Sequence, residues 1–321
     1  MDKSVLILGA NGRFGRHAAE AFWNAGWRIT LFDRDRDDLA AAVCGQAVIV
    51  AGCNPPYSGW ADQMLPLHAR IQAAAGTAGA TVILPANVYV FAPETPGPWG
   101  PGAPHDAVNP LGRIRVALED SYRRSGVQTI VLRAGDFIDT EPSAGWFDKV
   151  VLKDLARGFL TYPGALDAEH AWAYLPDLAV AAVGLAGQRA DLGGFTDVSF
   201  EGYTMSAHEL AGHLGDLRGH AVRARRMAWW PLTLTRTFWP VARHLNEMRY
   251  LWDLPHRLDG TRLGEYLPGL RTTPVEAALA RATAHLAKDR ANRCPRGPAK
   301  SRSTRHDAPR MPRAPTVLPR A

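Results

Sequence analysis

The residues whose spacing most clearly suggests chemistry are three glycines near the N-terminus, at positions 9, 12 and 15. An apolar run over residues 3–8 precedes them and apolar residues at helical spacing follow them, which favours a strand–turn–helix unit over an ordinary glycine turn. In such a unit the glycines permit a sharp turn, close approach of a pyrophosphate and tight helix packing, while the helix N-terminus binds phosphate. We therefore expect dinucleotide contacts from Gly9, Asn11, Gly12, Arg13, Phe14 and Gly15.

The charged residues Asp33 and Arg34 bear on which dinucleotide binds, because they follow the next apolar run, residues 27–32. A carboxylate at the end of the second strand can accept hydrogen bonds from both ribose hydroxyls, which favours NAD. Arg34 and Arg36 are the alternative, since they could hold the 2′-phosphate of NADP. The alternating charges of residues 33–38 also fit a solvated helix start. We predict NAD, with NADP as the second choice.

Strand and helix patterns alternate through the first half of the chain and predict a parallel, doubly wound α/β sheet of the Rossmann type. Only about thirteen residues separate the second strand from the third, where this fold usually has another strand and helix. We therefore expect the sheet to lack one outer strand, which leaves the Asp33 strand at the edge. The predicted strands are 3–8, 27–32, 46–51, 80–84 and 127–133, and the predicted helices are 12–25, 35–44, 60–78 and 109–125.

The regular alternation stops near residue 140, which suggests a division of the chain into three parts. Residues 1–140 form the predicted NAD(P)-binding domain, and residues 141–288 form a smaller, mixed substrate-binding region that partly returns to the sheet through a strand at 195–200. Helices are predicted at 146–158, 176–188 and 206–218, the last with a capping box of Ser206 and Glu209. Residues 227–252 are rich in aromatic side chains, which indicates core and lid packing, with a membrane-surface helix as the weaker alternative.

The net charge of +6 is concentrated in residues 289–321, which hold nine Arg or Lys and two Asp, against 28 basic and 29 acidic residues before them. We expect this Pro- and Arg-rich tail to be disordered and expect no nucleic acid as partner. Apolar stretches of about 18 residues are absent, as is a signal-peptide pattern, so we expect no membrane span and a cytoplasmic location. Three scattered cysteines suggest neither disulfides nor a metal site, and the sequence does not indicate an oligomeric state.

The motifs together resemble the short-chain dehydrogenase/reductase superfamily, most closely its extended and atypical branch, the NAD-dependent epimerase/dehydratase family. Besides the glycine turn, Asn87-Val88-Tyr89 resembles the segment after the fourth strand, and residues 133–137 resemble the loop beside the nicotinamide. Residues 170–179 resemble the segment that returns to the substrate site, and the whole resemblance covers about residues 3–285. It implies further cofactor contacts from Asn54, Pro85, Asn87, Arg115, Ala134 and Gly135.

The resemblance fails at the residues that carry the superfamily's chemistry, which needs a Tyr and a Lys one helical turn apart. Leu111 stands at the Tyr position and Arg115 at the Lys position, while Pro85-Ala86 replaces the expected serine. Leu111 cannot transfer a proton. Arg115 can bind a ribose but stays protonated; the alternative is an ion pair with Glu119 on a solvated helix face.

Three residues are therefore the candidates for catalysis: Tyr89 as proton donor, Arg115 as its electrostatic partner, and His170, whose ring suits acid–base work. Each has a structural alternative, such as a phenol or imidazole bound to backbone. Tyr57 is expected at the same crevice, and His105 is expected at the surface.

Two functions follow. The first is an NAD(P)-dependent oxidoreductase or epimerase/dehydratase-like enzyme that acts on a small or sugar-like molecule with a degenerate Tyr–Lys pair. The second is a non-catalytic dinucleotide-binding redox sensor or regulatory protein. Loss of the Tyr–Lys pair favours the second, whereas the developed C-terminal half favours a substrate pocket and thus the first.

Overall fold

The computed structural model describes residues 2–235 and 240–293 of the chain. Eleven strands lie within these residues: β1 Ser4–Leu8, β2 Arg28–Phe32, β3 Val48–Ala51, β4 Thr81–Ala86, β5 Thr129–Arg133, β6 Asp136–Ile138, β7 Phe159–Tyr162, β8 His170–Tyr174, β9 Phe195–Ser199, β10 Tyr203–Met205 and β11 Arg223–Arg226. The helices are α1 Arg13–Asn24, α2 Leu39–Val43, α3 Trp60–Ala78, α4 Pro110–Arg124, α5 Leu175–Gly187, α6 Ala207–Arg218, α7 Trp230–Thr235, α8 Pro240–Glu247, α9 Tyr250–Asp253, α10 Thr261–Tyr266 and α11 Val275–Arg293.

Six parallel strands form the main sheet in the order β2-β1-β3-β4-β5-β9. Helices α3 and α4 cover one face, and α1 and α5 cover the other, each over its own apolar core. The strands β1, β3 and β5 are buried throughout, as expected for parallel strands with helices on both faces. Strand β2 lies at the edge, so the predicted Rossmann sheet without one outer strand is confirmed, and β9 returns to it from the second half of the chain.

The second half adds two small sheets, β10-β8-β6 and β11-β7, over a third apolar core. Helix α6 begins with the predicted capping box of Ser206 and Glu209. Residues 146–158, predicted as one helix, instead form a π-helical turn at Phe147–Val151 and a 3-10 turn at Leu155–Arg157. Both are pressed into the third core, and tertiary packing has here overridden local propensity.

The predicted helix at 35–44 is shorter than expected, because only Leu39–Val43 is helical. Aspartate side chains bind backbone N–H groups ahead of it: Asp33 accepts from Asp35 at 3.0 Å, and Asp37 accepts from Asp33 at 2.8 Å. Such local bonds compete with the helix and form a turn.

At the C-terminal end, helix α11 reaches Arg293, so the predicted boundary at residue 288 falls inside it. The remainder of the predicted tail, residues 294–321, lies outside the described residues, as do residues 236–239 of the aromatic-rich segment. None of the described helices combines the length and the apolar character that crossing a membrane requires.

Candidate functional site

The glycine turn joins β1 to α1 with a conformation that few other residues could adopt. Gly9 has a φ of +78°, and its carbonyl accepts the N–H of Gly12 at 2.8 Å. A Cβ on Gly15 would overlap the carbonyl of Gly9, and one on Gly12 would lie 3.0 Å from the same oxygen. No side chain caps the N-terminus of α1, so its first N–H groups are free for a ligand.

A cavity of about 600 Å³ opens beside this turn, at the carboxyl ends of β1, β3, β4 and β5, where sheets of this type bind ligands. It contains most of the predicted site residues: Gly12, Arg13, Phe14, Asn54, Tyr57, Pro85, Asn87, Tyr89, Arg115, Ala134 and Gly135. Predicted residues outside its described lining are Gly9, Asn11, Gly15, Asp33, Arg34 and His170.

Asp33 and Arg34 lie directly after β2, at the edge of the sheet. The carboxylate of Asp33 is half-exposed and lies 3.4 Å from Nε of Arg36, while the exposed Arg34 lies 3.6 Å from Asp35. The carboxylate and the arginines are therefore neighbours at this edge, and their contact with an adenosine ribose stays a prediction.

Two phenols meet at the cavity wall. The hydroxyls of Tyr57 and Tyr89 are 2.9 Å apart, and the ring of Trp60 packs against both side chains. Burial raises the pKa of each phenol, and that of Tyr89 lies well above its ordinary value. Both phenols therefore stay protonated near neutral pH, so they can donate hydrogen bonds but are poor bases.

Arg115 does not lie on a solvated face, contrary to the alternative interpretation of its pairing with Glu119. It is buried, its Nη2 donates to the backbone carbonyl of Pro85 at 3.0 Å, and it lies 3.9 Å from Glu119. Leu111, one turn earlier, is buried in the core. Arg115 thus holds the end of β4, while burial lowers its pKa without making it a proton carrier.

His170 does not reach the cavity itself but contacts it through Asp136. Its Nε2 lies 2.9 Å from Oδ2 of Asp136, which does line the cavity. Sequence analysis missed Asp136, although this residue is part of the quoted 133–137 segment and follows the strand end by three positions. The lining residues Trp146, Lys149 and Leu245 were missed as well, because they come from the second half of the chain and reach the cavity only through tertiary packing.

His105, expected at the surface, is largely buried and lies 3.5 Å from Glu119 and 3.9 Å from Asp197. These three side chains lie close enough to hold a cation together, and the sequence analysis did not single them out. The guanidinium of Arg133 already takes that position, since it donates to Glu119 at 2.7 Å and to Asp197 at 3.0 Å. The cluster is an internal ion pair network behind the cavity.

Comparison with known proteins supports the resemblance at the level of fold. No protein-family model matches the sequence. A 67-residue segment is 42% identical to an uncharacterized oxidoreductase of Mycobacterium tuberculosis and covers 20% of this chain. The match spans only a quarter, 25%, of that relative's length.

Solved structures match over nearly the whole chain. A putative epimerase from Burkholderia cenocepacia has a TM-score of 0.69 at 14% identity, covering 89% of this chain and 98% of that one. The UDP-glucose 4-epimerase from Brucella ovis, in complex with NAD, has a TM-score of 0.66 at 18% identity, covering 88% and 98%. The UDP-N-acetylglucosamine 4-epimerase from Methanobrevibacter ruminantium, in complex with UDP-N-acetylmuramic acid, has a TM-score of 0.68 at 14% identity, covering 90% and 99%. The chain therefore has the fold of the NAD-dependent sugar epimerases and dehydratases.

Proposed function

We propose that this protein is an NAD(P)-dependent enzyme of the epimerase/dehydratase or reductase type, with NAD as its preferred cofactor and a sugar-nucleotide-like molecule as its substrate. One observation carries the proposal: the cavity that opens beside the glycine turn also contains two phenols and a carboxylate. Its volume of about 600 Å³ lies within the usual range for small-molecule sites.

The residues around the cavity fit a dinucleotide. The uncapped N-terminus of α1 suits a pyrophosphate, and a side chain at Gly12 would intrude where backbone must come close to it. Asp33 would hold the adenosine ribose, while Asn87, Ala134 and Gly135 would surround the nicotinamide end. A bound nicotinamide would exchange hydrogen, together with an electron pair, with a substrate carbon.

The substrate class is suggested by neighbours that share the fold. Structures with this fold have been solved with UDP-glucose or UDP-glucuronic acid together with NAD. In this chain, Arg13 and Lys149 line the cavity and offer positive charge to a diphosphate, and the phenols of Tyr57 and Tyr89 offer hydrogen bonds to sugar oxygens.

The direct test is a thermal-shift titration of the full chain with NAD, NADH, NADP and NADPH. NAD at about 100 times its dissociation constant should stabilise the protein by about 2.7 kcal/mol. Gly12→Val should abolish the shift while circular dichroism shows an unchanged fold. A wild-type protein that responds to none of the four nucleotides would overturn the proposal.

Two variants refine it. Asp33→Ala should weaken NAD relative to NADP, because the carboxylate that repels a 2′-phosphate is lost while Arg34 remains. Tyr89→Phe should reduce turnover of UDP-hexoses without changing NAD affinity. Turnover is followed by chromatography of the sugar products and by absorbance of the nicotinamide, because epimerisation and dehydration leave no net change in the cofactor. NAD binding with no turnover of any UDP-hexose would favour the regulatory alternative.

A further inference from the structure

Asp136 presents one free carboxylate oxygen to the cavity. It is the first residue of β6, directly after Gly135, and 33% of its side chain is exposed. Its Oδ2 is held by His170, whereas Oδ1 makes no hydrogen bond to any described residue. Of the described residues that line the cavity, Asp136 alone carries a carboxylate.

His170 is held rigidly behind this carboxylate. Strand β8 pairs with β6 so that Trp172 is opposite Asp136, which places His170, two residues earlier, on the same face. Its ring stacks on Trp252 with centroids 4.4 Å apart and an interplanar angle of 3°, and His256 meets it at 4.5 Å. Packing therefore fixes both the position and the plane of the imidazole.

The ring proton of His170 can be assigned to Nε2. Nδ1 is buried and has no hydrogen-bond partner among the described residues, so a proton there would be an unsatisfied buried donor. With the proton on Nε2, His170 donates to Oδ2 of Asp136 over 2.9 Å. A hydrogen bond of this kind stabilises and orients a carboxylate.

Three neighbouring polar groups of the cavity, the two phenols and Arg115, are unsuited to accept a proton. Tyr57 and Tyr89 stay protonated, because burial raises the pKa of both. Arg115 is bound to the carbonyl of Pro85 and remains charged. Oxidation of a hydroxyl nevertheless requires a base, since its O–H bond must break.

We propose that Asp136 is the proton acceptor of this site and that His170 is its positioning residue. The inference rests on the proposed function and adds the group that replaces the absent Tyr–Lys pair. As the substrate O–H bond breaks, its proton passes to Oδ1 of Asp136 and its electron pair forms the new C=O bond. A bound, oxidised nicotinamide would supply the acceptor for the hydrogen of the carbon and its electron pair. In the reverse direction, protonated Asp136 returns the proton.

The charged and titratable groups around Asp136 come from every neighbouring element. The phenols of Tyr57 and Tyr89 face it from the loops after β3 and β4, and Arg13 on α1 lines the same cavity. Behind His170, the remaining groups are Tyr162 and His256, and the cavity adds Arg115 and Lys149. The surroundings thus contain three cationic side chains and no second carboxylate in the described lining.

The test uses the full chain with NAD and UDP-hexoses as probes. Asp136→Asn should lower turnover by about 10²–10⁴, the usual contribution of a positioned base, while calorimetry shows unchanged NAD affinity. Asp167→Asn is the matched control, because Asp167 forms an exposed pair with His208 at 3.5 Å. Equal turnover in wild type and Asp136→Asn would overturn the proposal.

The role of His170 is tested with two variants, one that keeps an aromatic ring and one that keeps a hydrogen-bond donor. His170→Phe keeps the ring but loses the donor, so turnover should fall about 10-fold to 100-fold, as for other outer hydrogen-bond partners. The loss should appear in kcat rather than in KM, because His170 orients the carboxylate and does not contact the substrate. His170→Gln retains a donor and should restore most of kcat. Equal losses in His170→Phe and His170→Gln would reduce His170 to a packing residue.

A second measurement does not depend on turnover. In ¹⁵N-histidine-labelled protein, the His170 signal should show the proton on Nε2, should change in Asp136→Asn, and should respond when NAD and a UDP-hexose are added. Signals that respond to neither change overturn the proposal even if NAD binds. Absence of NAD binding in calorimetry would instead identify failure of the proposed function.

Discussion

Two groups of histidine and carboxylate side chains lie at the carboxyl end of β5, and they are built in opposite ways. The first, which we call the Arg133 cluster, contains Arg133, Glu119, Asp197 and His105. Burial lowers the pKa of Arg133, but the two carboxylates raise it more, and the result is a net increase. Burial raises the pKa of Glu119, but the interaction with Arg133 lowers it by more, so the pKa lies below its ordinary value. The charged groups of the cluster are paired with one another, and none of them is in the described lining of the cavity.

The second group, the Asp136 pair, consists of Asp136 and His170 and begins only three residues further along the chain. Its histidine is buried like those of a core, but its carboxylate keeps one oxygen in the cavity. The difference teaches that residue type does not distinguish a structural from a functional carboxylate. What distinguishes them is where the unbonded oxygen lies: Oδ1 of Asp197 is buried inside the cluster, whereas Asp136 lines the cavity and a third of its side chain is exposed.

The largest expected effect on stability comes from removing the cation of the Arg133 cluster. Arg133→Met leaves Glu119 and Asp197 buried without their cation, which should lower the free energy of unfolding by about 3–5 kcal/mol in urea denaturation. Arg157→Met, which removes an exposed ion pair with Asp154 at 3.5 Å, should cost less than about 1 kcal/mol. Asp136→Asn should also cost about 1 kcal/mol or less. Similar losses for Arg133→Met and Asp136→Asn would remove the distinction between the two groups.

A smaller effect on stability is expected at Gly135, which lies between β5 and Asp136. A Cβ on Gly135 would overlap the backbone carbonyl of Ala171 on β8. Gly135→Ala should therefore force β6 and β8 apart and lower stability by about 1–3 kcal/mol. Gly212→Ala is the control, since a Cβ there meets open space in helix α6 and should stabilise by about 0.5–1 kcal/mol. The contrast is measured by thermal unfolding of both variants.

The smallest expected effect is on the pH dependence of stability, and it comes from His256, which packs against His170. Burial lowers the pKa of His256 to about 3 from an ordinary value of 6.5. Between these values the unfolded chain binds a proton that the folded protein does not, so stability falls as pH decreases, by about 1.4 kcal/mol per pH unit. His256→Phe should reduce this slope between pH 6.5 and 5 in urea titrations.

His68 offers an independent check, because it lies on α3, and burial lowers its pKa to about 3 as well. His68→Gln should reduce the slope of stability against pH by a similar amount. The double variant of His68→Gln and His256→Phe should reduce it by about twice that amount. A slope that neither variant changes would show that these imidazoles are protonated in the folded protein.

The sequence by itself determined the elements whose signals are local. The glycine turn, the apolar strands and the short stretch between β2 and β3 were enough to predict a parallel sheet with β2 at its edge, because each depends on neighbours in sequence. The capping box of Ser206 and Glu209 was predictable for the same reason.

Only the tertiary structure decided which polar side chains pair with one another inside the fold and which face the cavity. Asp136 and His170 are separated by 34 positions, and Arg133 and Asp197 by 64, so pairing depends on the register of β6 on β8 and of β5 on β9. Tertiary packing also brings His105, whose Pro- and Gly-rich loop had suggested a surface position, to within 3.5 Å of Glu119. Long-range packing, which a local pattern does not encode, thus set the chemistry of the cavity.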